Sequence, residues 1–322
     1  GLVSPNPMVG CVIVHRDKII GEGWHQQFGG PHAEVNAIQS VEEKELLPES
    51  TLYVNLEPCH HYGKTPPCVD LIIEKKIKKV VIANEDPFSE VSGKSIKKMR
   101  EQKIEVVVGT CEEEGEWLNQ RFFTFQRKKR PYIILKWAQT ADGFIARKNY
   151  NSKWISNAKS RKLVHKWRSE EPAIFVGYNT ALYDDPALNV RHWDGQNPVR
   201  IVLDPAGKLP ATLKLFDQNQ PTVVYSNKKK ESQQNICWEA ISQTNAEEEI
   251  LSDLYKRKLQ SVIIEGGAAT INSFLKKNLW DEARVFIGNQ TFSEGIEAPK
   301  LNKSIFAEEM IAGYKLLIYK NE

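Results

Sequence analysis

Short apolar runs, each closed by charged or turn-forming residues, alternate through the first 130 residues with stretches whose apolar positions fall three and four apart. The runs predict strands at 8–17, 19–24, 51–56, 79–83 and 104–108, and the helical spacing predicts helices at 32–41, 68–76, 95–102 and 112–125. Strand–helix alternation at this pace argues for an α/β sheet covered on both faces. A basic run, Arg127-Lys128-Lys129-Arg130, is then closed by Pro131. It reads as a linker or capped helix end, which puts a domain boundary at residue 129. The alternation restarts beyond it, with strands at 132–138, 173–176, 199–203, 222–226, 261–265 and 283–288 and helices at 157–170, 247–258 and 268–277. Two α/β domains, 1–129 and 130–322, are expected.

Composition narrows the class without choosing a function. At 41% hydrophobic and 26% charged residues, the chain is not a disordered, collagenous or coiled-coil sequence. Its net charge of +3 is too small to imply nucleic-acid or membrane partners. The charge is uneven, −2 through residue 129 and +5 beyond, which suits a phosphate-bearing ligand in the second half. The longest apolar stretch, 8–14, falls far short of the ~18 residues of a membrane span. No signal-peptide pattern opens the chain, so a cytoplasmic protein is expected. The sequence opens on Gly1 inside a turn-rich phrase, from which an upstream element is expected. Five cysteines, at 11, 59, 68, 111 and 237, are too few and too scattered for a secreted disulfide scaffold. They point to metal ligation, catalysis or burial.

Three short segments converge on one chemistry. His32-Ala33-Glu34 opens a predicted helix, Pro58-Cys59 ends a predicted strand, and Cys68 opens the next helix. One histidine and two thiolates leave the fourth zinc position open, as a catalytic site requires, and zinc brings the pKa of water close to neutral. Glu34, two residues past the ligand, stands near the metal without binding it and can carry protons. Together these form the pattern of zinc-dependent base deamination. The usual second element is P-C-x-x-C, whereas here eight residues, 60–67, separate Cys59 from Cys68. That loop must leave the metal and return to it. Either cysteine alone would read as a small buried hydrophobe; their joint occurrence with His32 and Glu34 turns the reading to metal.

The second half has no G-x-G-x-x-G, so the usual dinucleotide fingerprint is missing. It does have an apolar strand, Val262-Ile263-Ile264-Glu265, running into Gly266-Gly267 and a helix, where backbone N–H groups can meet a phosphate. Paired glycines alone read as a tight strand-to-helix turn; Glu265 aimed at the same crevice favours a functional reading.

The phrases VSPNPMVGCVIV, HAEVNAI and LEPCHHYGKTPPC resemble the deaminase half of the bifunctional deaminase–reductases of riboflavin biosynthesis. The long cysteine loop sets that family apart from cytidine and tRNA-adenosine deaminases. LKWAQTADGFIA, SKWIS, VGYNTALYDDPALNVR and VIIEGGAATINSFL resemble its reductase half, so the resemblance covers almost the whole chain. It implies a cytidine-deaminase-like α/β/α sandwich followed by a dihydrofolate-reductase-like α/β domain. The implied activity is hydrolytic deamination of 2,5-diamino-6-(5-phosphoribosylamino)pyrimidin-4(3H)-one, then NADPH reduction of the ribosyl group to give 5-amino-6-(5-phosphoribitylamino)uracil. By resemblance, zinc falls on His32, Cys59 and Cys68, the proton shuttle on Glu34, and substrate contacts on Asn6, His25, His61, Lys64 and Asp86. NADPH falls on Ala138, Trp154, Thr180, Asp184, Ser226 and Gly267, and the second substrate site on Lys136, Ser152, Arg168, Leu188, Arg191 and Glu265. Arg168 and Arg191 would then grip a phosphate as otherwise unpaired charges. Lys136 would polarise or protonate the opening sugar, and Asp184 or Glu265 would hold ribityl hydroxyls. A homo-oligomer, dimer or tetramer, is expected.

The chain departs from the family at His60, where a small hydroxyl residue is common, and at Asp86-Pro87-Phe88-Ser89, where Asp-Pro-Asn-Pro is common. The family begins with a helix ahead of the VSPNP phrase, in keeping with the upstream element expected before Gly1. Other residues take ordinary roles: His15 solvated in a turn, His165 and His192 on the surface, Cys11 an inert core thiol, Cys111 and Cys237 without a partner motif. Trp117, Phe122, Phe123 and Phe125 are expected to pack a core or the domain junction, and the lysine-rich 75–79 and 227–230 to form solvated faces. Two competing readings are a deaminase of another base with a non-catalytic second half, and an RNA-editing protein. The missing basic–aromatic stripe argues against the latter.

Overall fold

The computed structural model describes residues 3–60, 62, 66–88, 92–152, 155–228, 230–242 and 244–321. The chain forms two compact units and passes from one to the other between Lys129 and Arg130.

The first unit contains strands β1 (Gly10–His15), β2 (Lys18–Trp24), β3 (Thr51–Leu56), β4 (Lys79–Asn84) and β5 (Glu105–Val108). Its helices are α1 (Ala33–Ser40), α2 (Cys68–Glu74), α3 (Lys94–Glu101), α4 (Glu112–Leu118) and α5 (Gln120–Lys128). The sheet runs β2-β1-β3-β4-β5, with β1 antiparallel to both neighbours and β3, β4 and β5 parallel. β1 alternates and sends Cys11 and Ile13 inward, whereas β4 is buried along almost its whole length, as a parallel strand covered on both faces must be. Ile13, Leu52, Val80 and Ile82 form one core with Ala37 and Ile38 of α1, Ile72 of α2 and Met99 of α3.

Helix α1 lies close on β2 because position 23 is glycine: a Cβ there would stand 2.3 Å from the Ala37 amide nitrogen and 2.7 Å from the Asn36 carbonyl carbon. The obstruction is backbone, so it cannot swing aside. Gly23→Ala should therefore push α1 outward and destabilise this unit by about 1–3 kcal/mol. Thermal unfolding checks it, and an unchanged midpoint would show that the helix gives way freely.

The expected helix over 112–125 is two helices. Asn119 separates them, its Oδ1 accepting the Met8 N–H at 2.8 Å and its Nδ2 donating to the Met8 carbonyl at 2.9 Å. A long-range pairing that ties this turn to residue 8 leaves no local trace in the apolar spacing. Phe122 and Phe123 pack with Leu56 and Val9 as a small core, but Trp117 is 63% exposed and is not part of that core. His15 is buried at the end of β1, not solvated in the turn.

The second unit contains β6 (Tyr132–Gln139), β7 (Phe144–Ala146), β8 (Ala173–Gly177), β9 (Val199–Leu203), β10 (Thr222–Ser226), β11 (Ile236–Ala240), β12 (Ser261–Glu265), β13 (Glu282–Ile287), β14 (Ile296–Glu297), β15 (Ala307–Ile311) and β16 (Tyr314–Lys320). Its helices are α6 (Ala158–Glu170), α7 (Tyr178–Asp184), α8 (Ala246–Lys256) and α9 (Ala268–Lys276). The main sheet runs β11-β10-β9-β8-β12-β6-β13-β16-β15, parallel as far as β13, with β16 antiparallel to β13 and to β15. Sequence reading missed α7, which is too short to show a helical period. It also missed the closing hairpin, where adjacent Leu316 and Leu317 are both buried and mask the alternation.

Ala173, Phe175, Val262 and Ile264 pack with α8 and α9 on one face, while Ile174 and Val176 pack with Ala181 of α7 on the other. Helix α7 thus leaves β8 over one face and α9 leaves β12 over the opposite face. Between these adjacent strands the carboxyl ends are uncovered, the position where open α/β sheets hold ligands. Arg130 begins the unit with a fork onto Asp281, at 2.5 and 2.8 Å, and Asp281 also accepts the Ile133 N–H at 2.9 Å.

Candidate active sites

In the first unit, the residue before α1, the chain just after β3 and the first residue of α2 bring His32, Cys59 and Cys68 together. His32 Nδ1 lies 3.5 Å from Cys59 Sγ and 3.4 Å from Cys68 Sγ, and the three ligand atoms fall within 4.8 Å of one another. Zinc–nitrogen and zinc–sulfur bonds of about 2.05 and 2.3 Å at a tetrahedral angle place those atoms about 3.6 Å apart. The spacing therefore fits a zinc ion. Among the described residues no other His, Cys, Asp and Glu side chains are grouped this way.

The donor chemistry agrees. Two sulfurs this close cannot both ionise without a cation between them. The Cys68 hydrogen bond pulls the Cys59 thiol down to about 4, while Cys59 and burial drive Cys68 far above the ordinary thiol range. The Cys68 backbone N–H also donates to Cys59 Sγ at 3.2 Å.

Glu34 is buried in the first turn of α1, and burial, reinforced by the Cys59 charge, pushes its carboxyl up to about 7. His25 sets its ring edge toward His32 with centroids 5.5 Å apart. One ring nitrogen, Nδ1, donates to the Pro31 carbonyl at 3.0 Å, so Nε2 accepts from Asn6 Nδ2 at 3.1 Å. Asn6, His25 and Glu34 thus gather around His32, Cys59 and Cys68. Asp86 is buried, and burial pushes it up to about 6. His61 and Lys64 lie outside the described residues.

Sequence reading missed Glu57. Its buried carboxylate accepts the N–H groups of Asp86, Gly93, Ser95 and Ile96 at 2.9–3.4 Å and the Ser95 hydroxyl at 2.6 Å. It caps α3 and ties the chain around Asp86 to the strand end that carries Cys59. A lone carboxylate ending an apolar strand, two residues before a ligand, was the available signal.

In the second unit, the uncovered strand ends floor a cleft of ≈ 680 Å³, within the about 300–1,000 Å³ usual for small-molecule sites. Lys136, Ala138, Ser152, Thr180, Asp184, Glu265 and Gly267 all line it. Arg168, Leu188, Arg191 and Ser226 do not, and Trp154 lies outside the described residues. Leu188 is buried in the core beneath α7, and Ser226 is buried, accepting the Lys228 N–H at 3.1 Å. Helices α7 and α9 both begin at the cleft, after Gly177 and Gly267. They approach because Gly177 has no side chain; a Cβ there would meet Thr270 Oγ1 at 2.0 Å. Two helix N-termini lining one crevice fit a phosphate-bearing cofactor.

Beside the cleft, Arg168 grips Glu265 with Nε and Nη2 at 3.0 and 2.8 Å and donates Nη1 to the Asn189 carbonyl at 3.3 Å. The expectation that Arg168 brings an unpaired charge is therefore corrected. Lys136 Nζ stands 3.7 Å from the same carboxylate. Burial would raise Glu265, but Arg168 and Lys136 outweigh it and hold the carboxyl at about 2. Arg191 is exposed, donates Nη1 to Asn189 Oδ1 at 2.7 Å, and makes no ion pair among the described residues. His165 is buried rather than on the surface; its Nδ1 accepts the Arg191 N–H at 3.1 Å.

A family model for the cytidine and deoxycytidylate deaminase zinc-binding region matches residues 3–84, and one for the RibD C-terminal domain matches 131–292. The riboflavin biosynthesis protein RibD of Aquifex aeolicus is 43% identical over 92% of this chain and 84% of its own. That of Bacillus amyloliquefaciens is 36% identical over 97% and 84%. Among solved structures, a diaminohydroxyphosphoribosylaminopyrimidine deaminase/5-amino-6-(5-phosphoribosylamino)uracil reductase from Thermotoga maritima superposes with a TM-score of 0.89 at 38% identity, covering 99% of this chain and 93% of that one. RibD of Acinetobacter baumannii gives 0.89 at 32% with the same coverage. With two matched halves and relatives this similar along nearly its whole length, the chain belongs to the RibD family of riboflavin biosynthesis proteins.

Proposed function

We propose that this chain catalyses both steps: hydrolytic deamination of 2,5-diamino-6-(5-phosphoribosylamino)pyrimidin-4(3H)-one in the first unit, and NADPH reduction of the ribosyl group in the second. The observation that carries the reading is the tetrahedral spacing of His32, Cys59 and Cys68 beside buried Glu34, on a chain that also holds the Lys136–Glu265 cleft.

A zinc ion on those three ligands supplies Lewis-acid activation of water. Deamination then needs one proton taken from the attacking water and one delivered to the departing amine, as the new C–O bond replaces the C–N bond. Glu34, two residues past His32 and shielded from bulk solvent, carries that proton. Asn6, His25 and Asp86 orient the pyrimidine, His25 with its Nδ1–H committed to Pro31. We place the protein in the cytoplasm, whose reducing conditions suit a site built on two cysteine thiolates.

In the second unit, NADPH supplies the hydride, and the chain binds and orients. Gly267, whose N–H donates to Thr180 Oγ1 at 2.8 Å, holds the cofactor with Ala138, Thr180 and Asp184 at the two helix starts. Lys136 delivers a proton to the opening sugar oxygen, and Glu265 fixes its ammonium and a ribityl hydroxyl. Ser152, hydrogen-bonded to Asp184 at 3.2 Å, lies at the mouth. Lys136, Arg168 and Arg191 bring three positive charges against the single carboxylate of Glu265. The surplus suits a dianionic phosphate, with Arg191 as its open partner.

Loss of the NADPH absorbance band together with ammonia release, when the diaminopyrimidinone is supplied, tests the whole reading. Ammonia without NADPH oxidation would leave only the first step. Arg191→Ala should raise KM for the deaminated substrate about ten- to a hundred-fold, the worth of a charge-assisted hydrogen bond, with kcat largely kept. Equal reduction of a dephosphorylated substrate by the parent protein would remove the phosphate from this picture.

A further inference from the structure

His165 has no part in the chemistry above, yet it sits where the reductase cations meet. It lies one helical turn before Arg168 on α6, so both side chains leave the same face of the helix. The ring is buried, its Nδ1 accepts the main-chain N–H of Arg191 at 3.1 Å, and its edge meets His192 with centroids 4.8 Å apart. Asn189 joins the same cluster from the far side, its carbonyl taken by Arg168 and its Oδ1 by Arg191.

We propose that His165 is a positioning residue of the reductase site, which fixes the main chain of Arg191 so that its guanidinium stands beside the Arg168–Glu265 pair. This rests on the reading of Arg191 as the phosphate partner. A histidine is suited to the task for two reasons. An acceptor is needed because the Arg191 N–H faces the buried His165 ring in a partly buried contact, where an unpaired donor is costly. The acceptor must also add no charge to a region already rich in cations. Burial first, then Arg168, Arg191 and His192, hold the imidazole down to about 4 against the opposing pull of Glu265, so the ring stays neutral. A carboxylate at this position would compete with the substrate phosphate for both arginines, and a protonated ring could not accept the bond.

The test is a double-mutant cycle in the full-length protein, reading KM and kcat for NADPH-dependent reduction of the deaminated substrate. His165→Leu should raise KM about ten-fold with kcat nearly kept, since a main-chain tether and not a reacting group is lost. His165→Asn, whose amide oxygen can take the place of Nδ1, should restore most of the parent KM. On the Arg191→Ala background, His165→Leu should add little, because its effect passes through Arg191. If Arg191→Ala raises KM while His165→Leu does not, or if the two effects multiply, the positioning role is overturned. If Arg191→Ala itself leaves KM unchanged, the phosphate reading fails first and the role of His165 falls with it.

Discussion

Glu34→Gln should slow ammonia release about 10²–10⁴-fold, the usual worth of general acid–base help, and leave NADPH oxidation on already deaminated substrate near the parent rate. The amide keeps the size and polarity of the buried side chain in the first turn of α1 but cannot take a proton. Lys136→Ala should give the converse, with reduction lost and deamination kept, because Lys136 lines the cleft of the second unit. Four initial-rate assays, two variants against two substrates, decide it. Equal loss of both activities in Glu34→Gln, with zinc and melting intact, would mean that the two sites are not independent.

A second large effect concerns the metal. The purified protein should carry about one zinc per chain, and Cys59→Ser with Cys68→Ser should bring the metal content near zero and abolish deamination. Serine hydroxyls stay protonated at neutral pH, so the pair removes both negative charges that the site offers a dication and leaves His32 alone. Elemental analysis finding stoichiometric zinc in the double variant would show that the metal sits elsewhere.

The first of these sites was legible because it is nearly local. His32 and Glu34 are two residues apart, and both cysteines mark element ends that periodicity also predicted. The fold was legible where strands are central and uniformly buried: β9, β10 and β12 fall at the expected residues. What escaped is non-local. The break at Asn119 depends on Met8, the cap from Glu57 on a helix beginning 37 residues later, and the state of Arg168 on a carboxylate 97 residues away. His15 and His165 looked solvated because their sequence neighbours are charged, whereas burial is set by what the fold packs over them. An isolated sequence reports which groups a chain owns; it does not report which of them are already spoken for.

The basic run at 127–130 separates more cleanly than its sequence suggests. Arg127 pairs with Glu116 at 2.7 Å and lies over the Phe123 ring, all within the first unit, whereas Arg130 is held by Asp281 of the second. A cut between Lys129 and Arg130 would therefore sever a peptide bond and neither ion pair. The arginine nearest each new end would keep its counter-ion, Arg127 with Glu116 and Arg130 with Asp281. With the local ion pairs intact on both sides, a chain divided at this seam would need no compensating substitution for Arg127 or Arg130.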